Sequence, residues 1–141
     1  MTNRQDTIIK EFENLSDWSA KYKYIIELGT KLPNLEDSYK TDEFLIKGCQ
    51  SLVWLYSKME NGKVFFYADS NSKIVKGIIA LLISVFSGLT INEINNCNLY
   101  FIDEIGLKSF LSPTRSNGIA SMIKQIKSFR NKDENLKVSP H

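Results

Sequence analysis

Apolar side chains recur at helical spacing in the N-terminal part of the chain. They predict a first helix over residues 5–14 and a second over roughly residues 17–28. Ser16 is a favourable N-cap for the second helix, and Gly29 is suited to the left-handed position that ends it. Pro33 then blocks further helix in the following loop. The apolar faces consist of Ile8, Ile9, Phe12, Trp18, Tyr22, Ile25, Ile26 and Leu28.

Strand periodicity follows in the next part of the chain. Residues 42–46 are expected to form a short strand, and residues 51–59 a stronger one with apolar side chains on both faces. Asn61-Gly62 is a strong hairpin signal, and residues 63–70 form the return strand. A strand that is apolar on both faces is typical of a sheet centre, so the sequence predicts an antiparallel meander there.

The longest apolar helix is predicted over roughly residues 73–87. Residues 70–72 offer N-caps for it, and Gly88 is expected to stop it. Thr90 and Glu93 have the spacing of a capping box for a further short helix. The apolar face of the long helix is wide, so it should pack against the sheet. This face consists of Ile74, Val75, Ile78, Ile79, Leu82, Val85 and Phe86.

A helical turn and a final helix complete the pattern. Residues 99–107 are expected to form a helical turn that Gly106 ends. Ser112 followed by Pro113 is typical of a helix start, with a cap and then a proline at the first helical position. This last helix should extend to about Phe129. Its apolar stripe consists of Ile119, Met122, Ile123 and Ile126.

These elements predict an α+β fold in which helices pack around a small antiparallel sheet. The 141 residues fit a single domain over residues 1–141, with a polar tail at 131–141 that is expected to be loose. Hydrophobic residues make up 43% of the chain, which is enough to bury a core without disulfides or metals.

The net charge and the hydropathy of the chain limit the classes of function that the sequence indicates. Lysine and arginine total 18 against 16 acidic residues, so the formal net charge is only +2. This bias is too weak to indicate a nucleic-acid or membrane partner. The polar N-terminus has no signal-peptide core, so we expect a cytoplasmic protein. The longest apolar run, residues 77–89, is too short to span a bilayer.

Candidate chemistry is limited to few residues, because the chain has two cysteines, Cys49 and Cys97, and one histidine, His141. The cysteines form no CxxC pair, so neither a disulfide framework nor a tetrahedral zinc site is expected. The histidine is the last residue, so a Cys-His or Ser-His-Asp mechanism lacks a positioned imidazole. Cys49 lies in a predicted loop just before a strand, and loops often carry functional residues. Composition alone nevertheless favours a packing role for this cysteine.

Five segments change that balance. They are YKYIIELGTKLP at 22–33, GCQSLVW at 48–54, ADS at 68–70, IVKG at 74–77 and IGLKSFLSPTRSNGIASM at 105–122. In this order and spacing they resemble the SufE family. These are sulfur-acceptor proteins that partner cysteine desulfurases in iron–sulfur cluster assembly. The resemblance covers the chain from about residue 8 to residue 129 and is specific.

The resemblance implies that Cys49 accepts persulfide sulfur from a cysteine desulfurase of the SufS type. That enzyme uses pyridoxal phosphate to take sulfur from L-cysteine. The chain would bind no cofactor and no metal of its own. It would stimulate the desulfurase and pass the sulfur to a cluster scaffold complex of the SufBCD type. It is then an accessory protein rather than an enzyme, with an α+β fold, and we expect a monomer or a weak homodimer.

Sulfur transfer requires a reachable thiol, some stabilisation of its anion and protection from oxidation. Gly48 gives the loop backbone angles that other residues resist, so the loop can shelter Cys49 and present it on docking. Backbone amides at 49–51 and the side chains of Gln50 and Ser51 are expected to favour the thiolate.

Charged residues near this motif extend the prediction. Lys47 and Arg115 are candidate cations, and we hypothesise that Arg115, in the first turn of the last helix, lies near the Cys49 loop. Asp69 is a candidate partner contact, and capping of the following helix is its alternative role. Asn117-Gly118 is read as a packing feature without chemistry.

Three alternatives stay open. Leu52, Asn71 and Thr114 depart mildly from the family pattern, so a different desulfurase that feeds other sulfur pathways is the alternative partner. A thiol-based redox protein would need Cys97 near Cys49 as a resolving thiol. A cluster scaffold is disfavoured because two cysteines are too few to hold a cluster. Cys97 matches no family motif and is expected to be structural.

Overall fold

The computed structural model describes residues 3–129, so the tail predicted at 131–141 lies outside the described residues. The helices and strands, in chain order, are α1 Arg4–Glu13, α2 Trp18–Thr30, β1 Val53–Glu60, β2 Lys63–Ser70, α3 Lys73–Phe86, α4 Ile91–Asn96, α5 Phe101–Glu104, α6 Leu107–Phe110 and α7 Pro113–Lys127, with short 3₁₀ turns at Asp37–Tyr39 and Asp42–Phe44. Helices surround a two-stranded antiparallel sheet, which confirms the predicted α+β class.

The hairpin has the predicted turn. Strands β1 and β2 pair in antiparallel register from Val53 opposite Ser70 to Glu60 opposite Lys63. The turn residue Asn61 has a φ of 53°, and the glycine that follows it has a φ of 80°. Positive φ at both central positions is the requirement of the two-residue hairpin turn that Asn-Gly favours.

The predicted meander is wrong, because the sheet of the described residues has two strands. Strand β1 is apolar on both faces for another reason. Its inner face, including Val53, joins the core, and its outer face is covered by aromatic rings from the 3₁₀ turns. Tyr56 stacks on Tyr39 with 4.0 Å between ring centroids, and Phe44 packs edge-on against Tyr56.

Helix α3 occupies the centre of the core, with eleven of its 14 residues buried. Helices α2 and α7 and strand β2 all pack against it. At the contact with α2, a Cβ atom on Gly77 would fall 2.0 Å from the carbonyl oxygen of Ile25. Gly29 faces Gly77 from α2, and its own Cβ would fall 2.8 Å from the Gly77 nitrogen. The two glycines therefore allow the helices to cross closely.

Two predictions for α2 are wrong, one for its C-terminal end and one for its N-cap. Gly29 does not end the helix, because α2 continues through Thr30 and needs Gly29 for the crossing. Asp17 rather than Ser16 caps the N-terminus, since its carboxylate accepts the Ala20 N–H at 2.9 Å. None of the helices in the described range has the length and hydropathy that crossing a bilayer requires.

The other helix starts follow the sequence closely. Ser72 caps α3, Thr90 and Glu93 form the capping box of α4, and Ser112 caps α7. The turn predicted at 99–107 contains α5, and Gly106 ends it in the left-handed conformation, as predicted, before α6 begins at Leu107. Helices α3 and α7 end one or two residues earlier than predicted, at Phe86 and Lys127.

Candidate functional site

Cys49 lies at the tip of a short loop, residues 47–52, which we call the Cys49 loop. The strand predicted at 42–46 is wrong, because residues 42–44 form a 3₁₀ turn. The next two residues nevertheless pair with β1, and the Ile46 N–H donates to the Val53 carbonyl at 2.8 Å. This single backbone pairing closes the base of the Cys49 loop.

Asn71 fixes the loop on its C-terminal side. The Leu52 N–H donates to Oδ1 of Asn71 at 3.0 Å, and the Asn71 N–H donates to the Leu52 carbonyl at 3.2 Å. Asn71 precedes Ser72, the N-cap of α3, so these two hydrogen bonds connect the loop to the start of the central helix. The Cys49 loop is therefore held at both ends by hydrogen bonds.

Gly48 has the unusual backbone conformation that the sequence predicts. Its φ is 91°, a region that residues with a Cβ rarely adopt. A Cβ there would also fall 2.4 Å from Oγ of Ser121 on α7. The glycine thus serves both the turn of the loop and its close approach to α7.

The Cys49 thiol is half-buried and lies against α7. Its Sγ donates a hydrogen bond to the Gly118 carbonyl, with 3.6 Å between sulfur and oxygen. Burial raises the pKa of this thiol above its usual value. A carbonyl acceptor and partial burial both favour the neutral thiol, so the expectation of a stabilised thiolate is wrong for this conformation. The expected shelter is present.

A cavity of about 240 Å³ adjoins the sulfur, and we call it the Cys49 cavity. Its lining residues are Cys49, Gln50, Ser51, Val75, Ile78, Arg115, Gly118 and Met122. Val75, Ile78 and Met122 are buried and form an apolar floor, whereas Gln50 and Arg115 are exposed at the opening. The cavity is thus apolar inside and polar where it meets solvent.

Arg115 lies where the sequence analysis hypothesised, beside the Cys49 loop. The Ser112 hydroxyl accepts the Arg115 N–H at 3.4 Å and sets the first turn of α7, so the arginine faces the cavity. Within residues 3–129, the side chains of Gln50, Ser51 and Arg115 have no hydrogen bond or ion pair. The polar groups at the opening are therefore available to a ligand or partner.

Two further predicted residues lie outside the cavity. Lys47 lines a separate surface depression together with Lys124. Asp69 forms ion pairs with Lys40 at 2.9 Å and with Lys76 at 3.2 Å. Partial burial opposes ionisation of Asp69, but hydrogen bonds from Lys40, the Ser70 N–H and Lys76 hold its pKa below the usual value. Asp69 does not cap α3, since Ser72 takes that position.

Sequence reasoning missed several residues of the site. Asn71 was noted only as a departure from the family pattern, and Gly118 was given no chemistry. A Cβ on Gly118 would lie 3.5 Å from the Cys49 sulfur, so this glycine leaves the space beside the thiol open. Val75, Ile78 and Met122 were predicted only as core. The signal for Gly118 was its place within the 105–122 motif.

Cys97 lies at the C-terminal end of α4, away from the Cys49 loop. Its N–H donates to the Ile94 carbonyl, and its own carbonyl accepts Nζ of Lys127 at 2.8 Å. Burial raises the pKa of the Cys97 thiol, and the Lys127 charge offsets part of this effect. Among residues 3–129, no three histidine, cysteine or acidic side chains come together as a metal site would require.

Comparisons with known proteins place this chain in a family. The profile described as "SufE: Fe-S metabolism associated domain" matches residues 6–130. The "Cysteine desulfuration protein SufE" of Wigglesworthia glossinidia brevipalpis is 40% identical over 121 residues, 84% of each chain. The "Sulfur acceptor protein CsdE" of Escherichia coli K12 is 38% identical over 123 residues, 86% of this chain and 84% of the relative.

Two further comparisons agree. An uncharacterized SufE-like protein of Rhizobium etli is 40% identical over 127 residues, 86% of each chain. The solution structure of a hypothetical protein from Thermus thermophilus has a TM-score of 0.72, with 89% of this chain and 91% of that chain covered. Its sequence identity is 19%, so this likeness concerns the fold alone. The chain belongs to the SufE family, the Fe–S metabolism associated domain.

Proposed function

We propose that this protein is a sulfur acceptor and carrier that takes persulfide sulfur from a cysteine desulfurase onto Cys49. The main observation in support is the position of Cys49. It lies at the tip of a loop whose two ends are fixed by hydrogen bonds, and an open cavity adjoins it. The names of the relatives, a cysteine desulfuration protein and a sulfur acceptor protein, support the same reaction class.

The transfer step conserves atoms and electrons. The Cys49 thiolate attacks the outer sulfur of the desulfurase persulfide, and a new bond forms between Sγ and that sulfur. The S–S bond of the donor breaks, and the donor cysteine leaves as a thiolate. The Cys49 thiol must first lose its proton, and the resting site favours the thiol because the sulfur is half-buried against a carbonyl. A smaller fraction of thiolate slows attack from the resting site, and a docking movement that takes the sulfur away from this carbonyl would speed it.

The chain needs no cofactor for this step, since the acceptor supplies only a thiol and a protected position for the sulfur. Transfer to Cys49 frees the desulfurase cysteine, so acceptance should raise desulfurase turnover. We propose that the sulfur then passes from Cys49 to a cluster scaffold complex of the SufBCD type. A SufS-like enzyme is the proposed donor, and a different desulfurase that feeds other sulfur pathways is the alternative.

Gln50, Ser51 and Arg115 are proposed as supporting groups at the opening of the cavity. Their side chains are free within the described residues and surround the position where the desulfurase cysteine must arrive. Gly48 is proposed to keep the loop in its turn. Asp69 is proposed as a contact with the partner outside the cavity, because its carboxylate forms ion pairs with two lysines.

The proposal is tested by turnover of a SufS-type desulfurase with L-cysteine, with and without this protein. The unaltered protein should increase the rate of alanine formation and should gain one sulfur atom by intact mass. Cys49→Ser should do neither, whereas Cys97→Ser should do both. Failure of the unaltered protein with SufS-type and other desulfurases would contradict the acceptor role.

A further inference from the structure

The Cys49 cavity is larger than sulfur transfer between two proteins requires. A water molecule takes up about 30 Å³ in the liquid. The cavity of about 240 Å³ is therefore several times larger than the one sulfur atom that a persulfide adds to Cys49, since a sulfur atom is about the size of a water molecule. This volume is smaller than most drug-sized pockets, and it fits a molecule the size of one amino acid.

The lining of the cavity is divided by chemistry in a way that suits such a molecule. Val75, Ile78 and Met122 form an apolar floor that matches methylene groups and sulfur. At the opening, Arg115 offers a guanidinium that has no partner within residues 3–129. None of the lining residues is acidic. An unpaired guanidinium is the group that best matches a carboxylate, since its two N–H donors fit both oxygens.

We propose that the Cys49 cavity binds a small persulfide of the cysteine type. Its carboxylate pairs with Arg115, and its outer sulfur lies at Cys49. Cys49 is then loaded directly by a low-molecular-weight persulfide, without a desulfurase. This inference rests on the proposed function, because it assumes that Cys49 is the residue that accepts sulfur.

The loading step is balanced without an oxidant. The Cys49 thiolate attacks the outer sulfur of the small persulfide, a bond from Sγ to that sulfur forms, and the S–S bond of the donor breaks. The electron pair leaves with the inner sulfur, which takes a proton and departs as free cysteine. The products are the Cys49 persulfide and one thiol, so sulfur moves and no net oxidation occurs.

The cavity also sets a size limit. The persulfide of a tripeptide such as glutathione is several times larger than one amino acid, so most of it would have to remain outside the opening. Gln50 and Arg115 flank that opening, and the Gly118 backbone closes the side nearest the sulfur. We therefore expect glutathione persulfide to load Cys49 more slowly than cysteine persulfide does.

The test compares two small donors that differ in the carboxylate. Cysteine persulfide and cysteamine persulfide are each generated from the corresponding disulfide and sulfide. Addition of one sulfur to Cys49 is then followed by mass spectrometry. A peptide of residues 47–51 corrects for the intrinsic reactivity of each donor. The corrected preference for cysteine persulfide should be about threefold to fivefold, the usual size of one ion pair at an exposed guanidinium.

Variants assign the preference to Arg115. Arg115→Gln should bring the ratio to about one, and Arg115→Lys, which keeps the charge but loses the paired donors, should give an intermediate ratio. Lys124→Gln removes a cation of the same helix that lies outside the cavity, so it should keep the ratio of the unaltered protein. A corrected ratio near one in the unaltered protein would overturn the inference, as would an undiminished ratio in Arg115→Gln.

Loading by a desulfurase in a parallel tube separates this inference from the proposed function. If the desulfurase loads Cys49 and neither small donor does so faster than the peptide, the inference is wrong and the acceptor role stands. If neither the desulfurase nor the small donors load Cys49, the proposed function fails as well.

Discussion

The two cysteines share several properties, and their differences show what defines the site. Both thiols are free and half-buried, and burial raises the pKa of both. Each also lines a cavity, of about 240 Å³ at Cys49 and about 310 Å³ at Cys97. Exposure, acidity and available space therefore do not separate a candidate acceptor from a structural thiol.

The two cysteines differ in whether the polar side chains around each sulfur already have hydrogen-bond partners. Beside Cys97, the guanidinium of Arg4 donates to the carbonyls of Val85 and Ser87, and the Gln5 side chain bonds to the backbone around Tyr100. These groups hold the fold together. Beside Cys49, the side chains of Gln50, Ser51 and Arg115 have no partner within residues 3–129. A site for an incoming group is thus marked by polar side chains that the fold leaves unused.

The backbone differs as well. Cys97 ends a helix, with its N–H bonded to the preceding turn and its carbonyl bonded to Lys127. Cys49 lies in a loop whose two ends are fixed by hydrogen bonds, and its thiol donates to the Gly118 carbonyl of α7. Cys97 lines a different cavity from the one that Cys49 lines. This placement does not favour Cys97 as a resolving thiol for Cys49.

The largest expected effect comes from removing each thiol in turn. Cys49→Ser should abolish sulfur acceptance, because no other thiol lies in the loop. Cys97→Ser should retain acceptance and lower the free energy of unfolding by about 1 kcal/mol or less, since it exchanges one half-buried atom. Mass spectrometry and urea unfolding measure the two quantities. Loss of acceptance in Cys97→Ser, with the fold intact, would contradict the comparison.

The next effect concerns the glycine that shapes the loop. Gly48→Ala combines a positive φ with contact to Ser121, so it should destabilise the protein by about 2–3 kcal/mol. Gly62→Ala is the matched control, because its φ is also positive but no atom lies within 4 Å of the new Cβ. We expect about 1 kcal/mol for this control. Equal losses in urea unfolding would show that the contact with α7 has no energetic role.

A smaller effect should follow from releasing the loop at Asn71. Asn71→Ala removes the acceptor of the Leu52 N–H, which should cost about 1 kcal/mol of stability. The loop tip should then open more often, and alkylation of Cys49 by iodoacetamide should become several-fold faster. Cys97 serves as the internal reference and should react at an unchanged rate.

Asn71→Asp is the control for this prediction, because it keeps an oxygen acceptor at the same position. It should keep Cys49 alkylation near the rate of the unaltered protein. Equal acceleration in both variants would mean that the hydrogen bond to Leu52 does not hold the loop.

The smallest effect is a shift in pH dependence. The thiolate is the form that is alkylated, so a raised pKa moves the alkylation profile to higher pH. Both cysteines should therefore titrate above the ordinary value of about 8.5 in the folded protein and return to it in urea. Binding of a desulfurase should lower the midpoint of Cys49 alone. In the free protein, a Cys49 midpoint about one pH unit or more below the ordinary value of about 8.5 would contradict the conclusion that the resting group is a neutral thiol.

Local signals predicted the parts of the fold that depend on neighbours in sequence. The Asn61-Gly62 turn, the capping box at Thr90 and the cap at Ser112 each rest on residues a few positions apart. Gly29 was misread because its role depends on Gly77, which packs against it from a different helix. The meander failed for a similar reason, since rings from the 3₁₀ turns cover β1 in place of another strand.

The same distinction applies to the site. The motifs of the sequence singled out Cys49 and Gly48, and the hypothesis that Arg115 lies near the Cys49 loop is confirmed. It did not identify Asn71 as the residue that holds the loop, because the hydrogen bond to Leu52 joins two segments. It also predicted a stabilised thiolate, whereas the Gly118 carbonyl lies against the sulfur and favours the thiol. Both features depend on contacts between segments that are distant in the sequence.

We propose that the loop and its unengaged polar groups select Cys49 over Cys97 as the sulfur acceptor. The most direct test is to incubate the unaltered protein with a cysteine desulfurase and L-cysteine, then map added sulfur on the two cysteine peptides of the same sample. We expect added sulfur on the Cys49 peptide and none on the Cys97 peptide. Added sulfur on Cys97 alone, or equal amounts on both peptides, would contradict it.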